Sequence, residues 1–160
     1  MRTAWIALTL TSALAACGPE ATSPRGIVAA DYFANFEYQA GSMATLDCAD
    51  DSLDGVTPMT GILTLDGSTT AAIAELAQPG APCPGLLFDL VDGVATARPN
   101  QHCVRTVNNA RFDSLFTSYT MALDETRTML VIEGLASANV TGAVTTVCTS
   151  TISAMALKRQ

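Results

Sequence analysis

Apolar and polar residues alternate with period two along most of this chain, and the alternating runs end at glycine-containing turns. Successive side chains of a strand point to opposite faces, so this pattern specifies half-buried strands rather than helices, whose apolar residues recur near every 3.6 positions. Phe36, Tyr38, Ala40, Ser42, Ala44, Leu46 and Cys48 share one face. Ile62 to Leu65 runs into Asp66-Gly67, and Leu86 to Val91 into Asp92-Gly93. Leu115, Thr117, Tyr119, Met121 and Leu123 share a face ahead of the polar turn Asp124-Glu125-Thr126. Further strands are expected from Thr128 to Ile132, Gly142 to Cys148 and Thr151 to Lys158. Gly26 to Asn35 is ambiguous, because Ile27, Val28, Ala30 and Phe33 would also line a short helix. The expected class is all-β: a single antiparallel β-sandwich or partly closed barrel of about eight strands.

Ahead of this body, Met1-Arg2 supplies positive charge and Ala4 to Ala13 an apolar run too short to span a bilayer. Leu14-Ala15-Ala16-Cys17 follows, and it resembles the lipobox of bacterial lipoproteins. That resemblance implies a signal peptide over residues 1–16, cleavage before Cys17, and a diacylglyceryl group and an N-acyl chain (palmitate, for instance) on Cys17. Residues 17–26, with Pro19, Pro24 and Gly26 among small polar residues, read as a lipidated tether. Residues 27–160 form the β domain. Two or more chains hold a protein to a membrane without a transmembrane helix, at about 0.8 kcal/mol per buried methylene. Gly18 after the cysteine, rather than Asp, favours the outer membrane over the inner.

Five cysteines become an even set of four once Cys17 is lipidated, and an oxidising envelope then favours two disulfides. The turn at Asp92-Gly93 sets a register. A two-residue type I′ hairpin pairs Val91 with Val94, Leu90 with Ala95 and Phe88 with Ala97. Continued, the count places Cys83 opposite His102, and a single bulge near Pro99-Asn100-Gln101 moves Cys103 into that place. The expected bridges are therefore Cys83 with Cys103 and, by elimination, Cys48 with Cys148. In the chain-entropy model they contribute about 3 and 5 kcal/mol.

The stretch from Cys83 to Cys103 contains an apolar strand Leu86 to Val91, the Gly93 turn, Ala95-Thr96-Ala97, Pro99-Asn100 and Gln101. It resembles a segment of small, uncharacterised lipoproteins of myxobacteria and their relatives. Thr45-Leu46-Asp47-Cys48 and the ending from Cys148 to Lys158-Arg159 are similar as well. The resemblance implies a disulfide-stapled β domain behind a lipid anchor, and no activity.

Chemistry-bearing patterns are sparse. Asp50, Ser52 and Asp54 with Gly55 match the first half of a calcium loop, but Pro58 and Gly61 stand where its later ligands belong. His102 is the sole histidine, so a multi-histidine zinc site cannot be assembled and a Ser-His-Asp set would have to run through it. Asp124, Glu125 and Glu133 form the nearest carboxylate group across an expected hairpin. Phe33, Phe36, Tyr38, Phe88, Phe112, Phe116 and Tyr119 read as core. No catalytic, metal or cofactor residue is assigned. The formal net charge of −7 becomes −8 without Arg2, and no basic patch remains, which argues against nucleic acid as a partner.

The expected function is that of a non-enzymatic, lipid-anchored envelope protein, its β domain structural or protein-binding. The alternative is a lipocalin-like carrier of a small apolar ligand. Cys17→Ser should release the protein from membranes. Fractionation after a carbonate wash checks this, and wild-type recovery of the variant in the pellet would overturn the lipid assignment.

Overall fold

The computed structural model describes residues 26–67, 73–75, 85–107 and 109–160. Residues 1–25, Cys17 among them, and Cys83 therefore lie outside the described residues. Among the described residues eleven strands are present: β1 (Ala34–Tyr38), β2 (Met43–Cys48), β3 (Gly55–Pro58), β4 (Ile62–Gly67), β5 (Ile73–Glu75), β6 (Leu87–Val91), β7 (Val94–Ala97), β8 (His102–Val107), β9 (Ala110–Leu123), β10 (Met129–Thr141) and β11 (Thr146–Lys158). All pair antiparallel. β1 pairs with both β4 and β11, so the meander β1-β4-β5-β6-β7-β9-β10-β11 closes on itself as an eight-stranded barrel. Closure removes the sheet edges at this level, which an open sandwich would leave exposed.

The remaining three strands continue barrel strands beyond bulges. Tyr38 pairs with Ala156 and Met43 with Ser153, so Gln39 to Ser42 face only Ala154 and Met155 of β11. The Ser42 hydroxyl fills the gap: it donates to the Met155 carbonyl (2.9 Å) and accepts from the Met155 N–H (3.0 Å). This accounts for a serine that is 4% exposed. On the far side of the bulge β2 pairs with β11 and β3 instead of β11 and β4. β8 likewise prolongs β7 along β9. Thr96 pairs with Thr120 and His102 with Leu115, so five residues (97–101) face four (116–119) of β9, a single-residue bulge; the bulge expected in the ladder toward Cys83 falls outside the described residues. Gln101 patches it from the other side, its amide accepting from the Leu87 N–H (2.7 Å) and donating to the Leu87 carbonyl (2.8 Å).

The core fills the closed end. Phe36, Ile73, Phe88, Met121, Leu130 and Ile132 are fully buried there, and a 3-10 turn over Ala29–Tyr32 plugs the barrel. The buried Tyr32 hydroxyl is shared between the carbonyls of Gly93 (2.7 Å) and Met121 (3.0 Å). Arg127, in the β9–β10 turn, holds Asp31 at 3.2 Å, and Lys158 reaches the Asp31 carbonyl. The ambiguous stretch 26–35 is thus this short helical plug followed by β1. At the other end a smaller cluster gathers Cys48, Phe112, Ala138, Val140 and Cys148. Cys48 and Cys148 are direct register partners on β2 and β11 and are joined by a disulfide. Cys103 is also disulfide-bonded. Its expected partner Cys83 lies outside the described residues, where that pairing stands as an expectation.

The Asp92-Gly93 hairpin has the expected register, Val91 with Val94 through Phe88 with Ala97, and both turn residues have positive φ (50° and 82°) as type I′ requires. Other expectations are corrected. Asp66-Gly67 is not a turn: both residues stay in β4, paired with Ala74 and Ile73. A Cβ at Gly67 would sit 2.8 Å from the edge of the half-exposed Phe33 ring, which lies over the glycine. The three short C-terminal strands are two long ones, and only Gly142 to Ala143 and their neighbours before Thr146 form the turn. Leu115 and Thr117 do not share the face of Tyr119. β9 carries an extra residue against β10 at Thr117, since Leu135 pairs with Ser118 and Ala136 with Phe116, so parity flips and Phe116 turns inward instead.

Gly134, midway along β10, tests this packing: a Cβ there would lie 2.6 Å from the Tyr119 ring. Gly134→Val should destabilise the domain by about 1–3 kcal/mol through overpacking. The urea midpoint should fall with an unchanged slope, and a midpoint equal to wild type would show that Tyr119 is free to yield.

Candidate functional site

Between the two hydrophobic clusters the barrel is not filled. A cavity of about 330 Å³ lies there, past the level of the bulges, a size within the range of small-molecule sites. Its walls come from the prolonged strands: Ala44 and Leu46 of β2, Thr57 of β3, Arg105 of β8, Ser114 and Phe116 of β9, Ala136 of β10, and Ser150 and Ile152 of β11. Small residues predominate on β2, β10 and β11, and they leave the space. At the closed end β9 and β10 instead present larger inward residues, Met121, Leu123, Leu130 and Ile132, which fill it.

The floor is polar and aromatic. Tyr38 at the end of β1, Glu75 at the end of β5 and Tyr119 of β9 meet where the packed core stops. The two phenols are hydrogen-bonded to each other. Burial first, then the nearby Glu75 carboxylate, raises the Tyr38 phenol far above its ordinary range. Burial, then the charges of Tyr38 and Glu75, does the same to Tyr119. Glu75 itself is pushed up to about 7 from 4.5 by burial. Its backbone N–H bonds to the Leu86 carbonyl, but its carboxyl group has no cation or hydrogen-bond donor among the described residues. Phe116 stands edge-on to Tyr119, ring centroids 5.5 Å apart, and Phe88 packs behind at 5.6 Å. Arg105 is the one cation among the described lining residues, and its guanidinium lies over the Phe112 ring, 5.3 Å from the centroid.

The residues weighed from sequence lie elsewhere. Asp50 caps a 3-10 turn over Asp51–Leu53 by accepting from the Ser52 N–H (3.0 Å), and Asp54 accepts from the Cys48 N–H (2.7 Å). Both acids of the half calcium loop thus serve the backbone. His102 is exposed on the outside of β8, with Nδ1 3.2 Å from Asp113 Oδ1, and Arg111 shares that carboxylate at 3.7 Å. Ser114, the next residue, lines the cavity on the opposite face of β9. Asp124 accepts from the Thr128 and Met129 N–H groups in the β9–β10 turn, whereas Glu133 is exposed on β10 opposite Thr120 and Ser153. The structure does not bring Asp124 and Glu133 together.

Glu75 is the site residue that the alternation did not single out. A signal was present: one acid inside Ala71-Ala72-Ile73-Ala74-Glu75-Leu76-Ala77, two positions from Ile73 and so on its buried face. Of the aromatics expected in the core, Phe36, Phe88 and Phe112 are buried, Phe33 is 38% exposed, and Tyr38, Phe116 and Tyr119 line the cavity. No family model, curated protein or solved structure matches the chain.

Glu75 leads to a pH prediction. Its folded pKa lies above the unfolded value, so the native state binds more protons between pH 4.5 and 7 and stability falls as pH rises through that window. Glu75→Gln removes the cost of the buried charge. The variant should match wild type near pH 4 and exceed it by roughly 1–3 kcal/mol at pH 8. Urea melts at the two pH values check this, and equal stability at pH 8 would refute it.

Proposed function

We propose that this chain is a lipid-anchored envelope protein whose barrel binds a small, largely apolar ligand. The observation that carries the reading is the cavity between the two hydrophobic clusters, walled by small residues and floored by Tyr38, Glu75 and Tyr119. A domain serving only as a scaffold gains nothing from an unfilled interior or from a largely buried carboxyl group with no partner among the described residues, both of which cost stability. The carrier reading gives each a use, and for that reason it is preferred to a purely structural or protein-binding role.

The proposed anchor on Cys17 fits this arrangement. Gly26 and Ile27 enter the barrel at its closed end: Ile27 belongs to the closed-end core, and the Gly26 carbonyl meets Arg127. Nine residues from Cys17 to Arg25 reach at most about 30 Å. The plug would then face the lipid and the cavity would open away from it, so ligand would exchange with the aqueous side.

The test is titration of the soluble domain with N-phenyl-1-naphthylamine, a neutral apolar fluorophore. Saturable one-to-one binding is expected, weakened about tenfold or more when Ala44→Phe and Ser150→Phe fill the cavity. Absence of saturable binding, or binding that the filled cavity leaves unchanged, would refute the carrier reading.

A further inference from the structure

The proposal that the cavity takes a ligand leaves its chemistry open, and the floor narrows it. The Glu75 carboxyl group faces the cavity with no donor or cation from the described residues against it. A carboxylate withdrawn from water gains most from a positive charge placed beside it. Three aromatic rings stand at the same place, Tyr38, Phe116 and Tyr119, with the last two at a 5.5 Å centroid distance and 88° to each other. Ring faces with a carboxylate among them suit an alkylated ammonium group, whose charge is attracted to the faces while its carbons are buried. The whole chain is acidic, −7 in formal charge, which favours the approach of cations.

Arg105 is the feature that opposes a cation. It is toward the other end, however: its partner ring is Phe112, while Glu75 lies by Tyr119, six rises or about 20 Å further along β9 once the Thr117 bulge is discounted. A ligand whose nitrogen sits on the floor points its apolar body toward the walls of Ala44, Ala136 and Ile152. Resting on the carrier reading above, we infer that the ligand is an amphipathic amine, its protonated nitrogen seated on the Glu75 carboxylate within the Tyr38, Phe116 and Tyr119 rings.

The experiment uses a matched ten-carbon series, decylamine, decanol and decanoate, each competing with N-phenyl-1-naphthylamine at pH 8. Decylamine should bind about tenfold or more tighter than decanol, and decanoate weakest. Glu75→Gln, expected to be at least as stable as wild type, should abolish the advantage of decylamine over decanol. Phe116→Leu should weaken decylamine more than decanol. If the fluorophore and the alcohol bind but the amine shows no advantage, or keeps it in Glu75→Gln, the amine inference fails and the carrier reading stands. Preference for decanoate, lost in Arg105→Gln, would also overturn it by placing the recognition at the other end. If nothing binds, the carrier reading itself has failed.

Discussion

The pairing of β1 with β11 is the constraint on which the rest of the structure depends. It joins residues more than a hundred positions apart and converts a meander into a closed barrel, so its loop-closure cost is offset only once the whole sheet is in place. β11 makes it possible by its length. Its last residues close onto β1, and its earlier ones hold β2, where the Cys48–Cys148 disulfide fastens the same two segments at the opposite end. Between these points Ser42 stitches the bulge with two hydrogen bonds to Met155, so the closing seam is held at the closed end, at its middle and at its far end.

The irregularities of the sheet create the cavity. Gln39 to Ser42 add two residues to one wall, residues 97–101 add one to another, and Thr117 adds one to β9 beside it. Each extra residue bends its strand and raises local twist. The neighbours of β1 and β7 are exchanged at these places, with β3 and β8 taking up the pairing beyond. A barrel without the bulges would carry the packing of Phe36, Met121 and Ile132 along its whole length. With them, the interior turns from filled to open within a few residues, and Tyr38 and Tyr119 mark the boundary.

How much of this was legible in the sequence follows from what sets each feature. Period two reports the face of a strand, so the all-β class and the Asp92-Gly93 hairpin with its register were readable. The Cys48–Cys148 bridge followed from the remaining cysteines. Whether a meander closes depends on non-local pairing of β1 with β11, which no local pattern encodes, and so sandwich and barrel stayed open. Asp66-Gly67 has the composition of a turn, yet it stays in β4, paired with Ala74 and Ile73, with the Phe33 ring lying over the glycine. Thr117 looks like any strand threonine, but its bulge reverses the parity of everything before it, which brought Phe116 rather than Leu115 to the cavity. Ile73 to Glu75 sits among alanines that favour neither state, so β5 and its acid were missed together.

Glu75 shows why such a residue stands out once the fold is known. Local preference, pattern and packing agree along β10 and β11, where the inward positions from Leu130 to Val140 and from Cys148 to Ala156 are apolar, small or glycine. On β5 they conflict: a carboxyl group occupies the face that Ile73 fills two residues earlier, and its burial works against folding at neutral pH. A glutamine or methionine would satisfy the barrel at lower cost. The conflict falls at the level where the interior opens, beside two phenols that bond to each other, with no partner for the carboxyl group among the described residues. A position that costs the native state stability, and that aims its charge into empty space, is explained by what enters that space rather than by the fold around it.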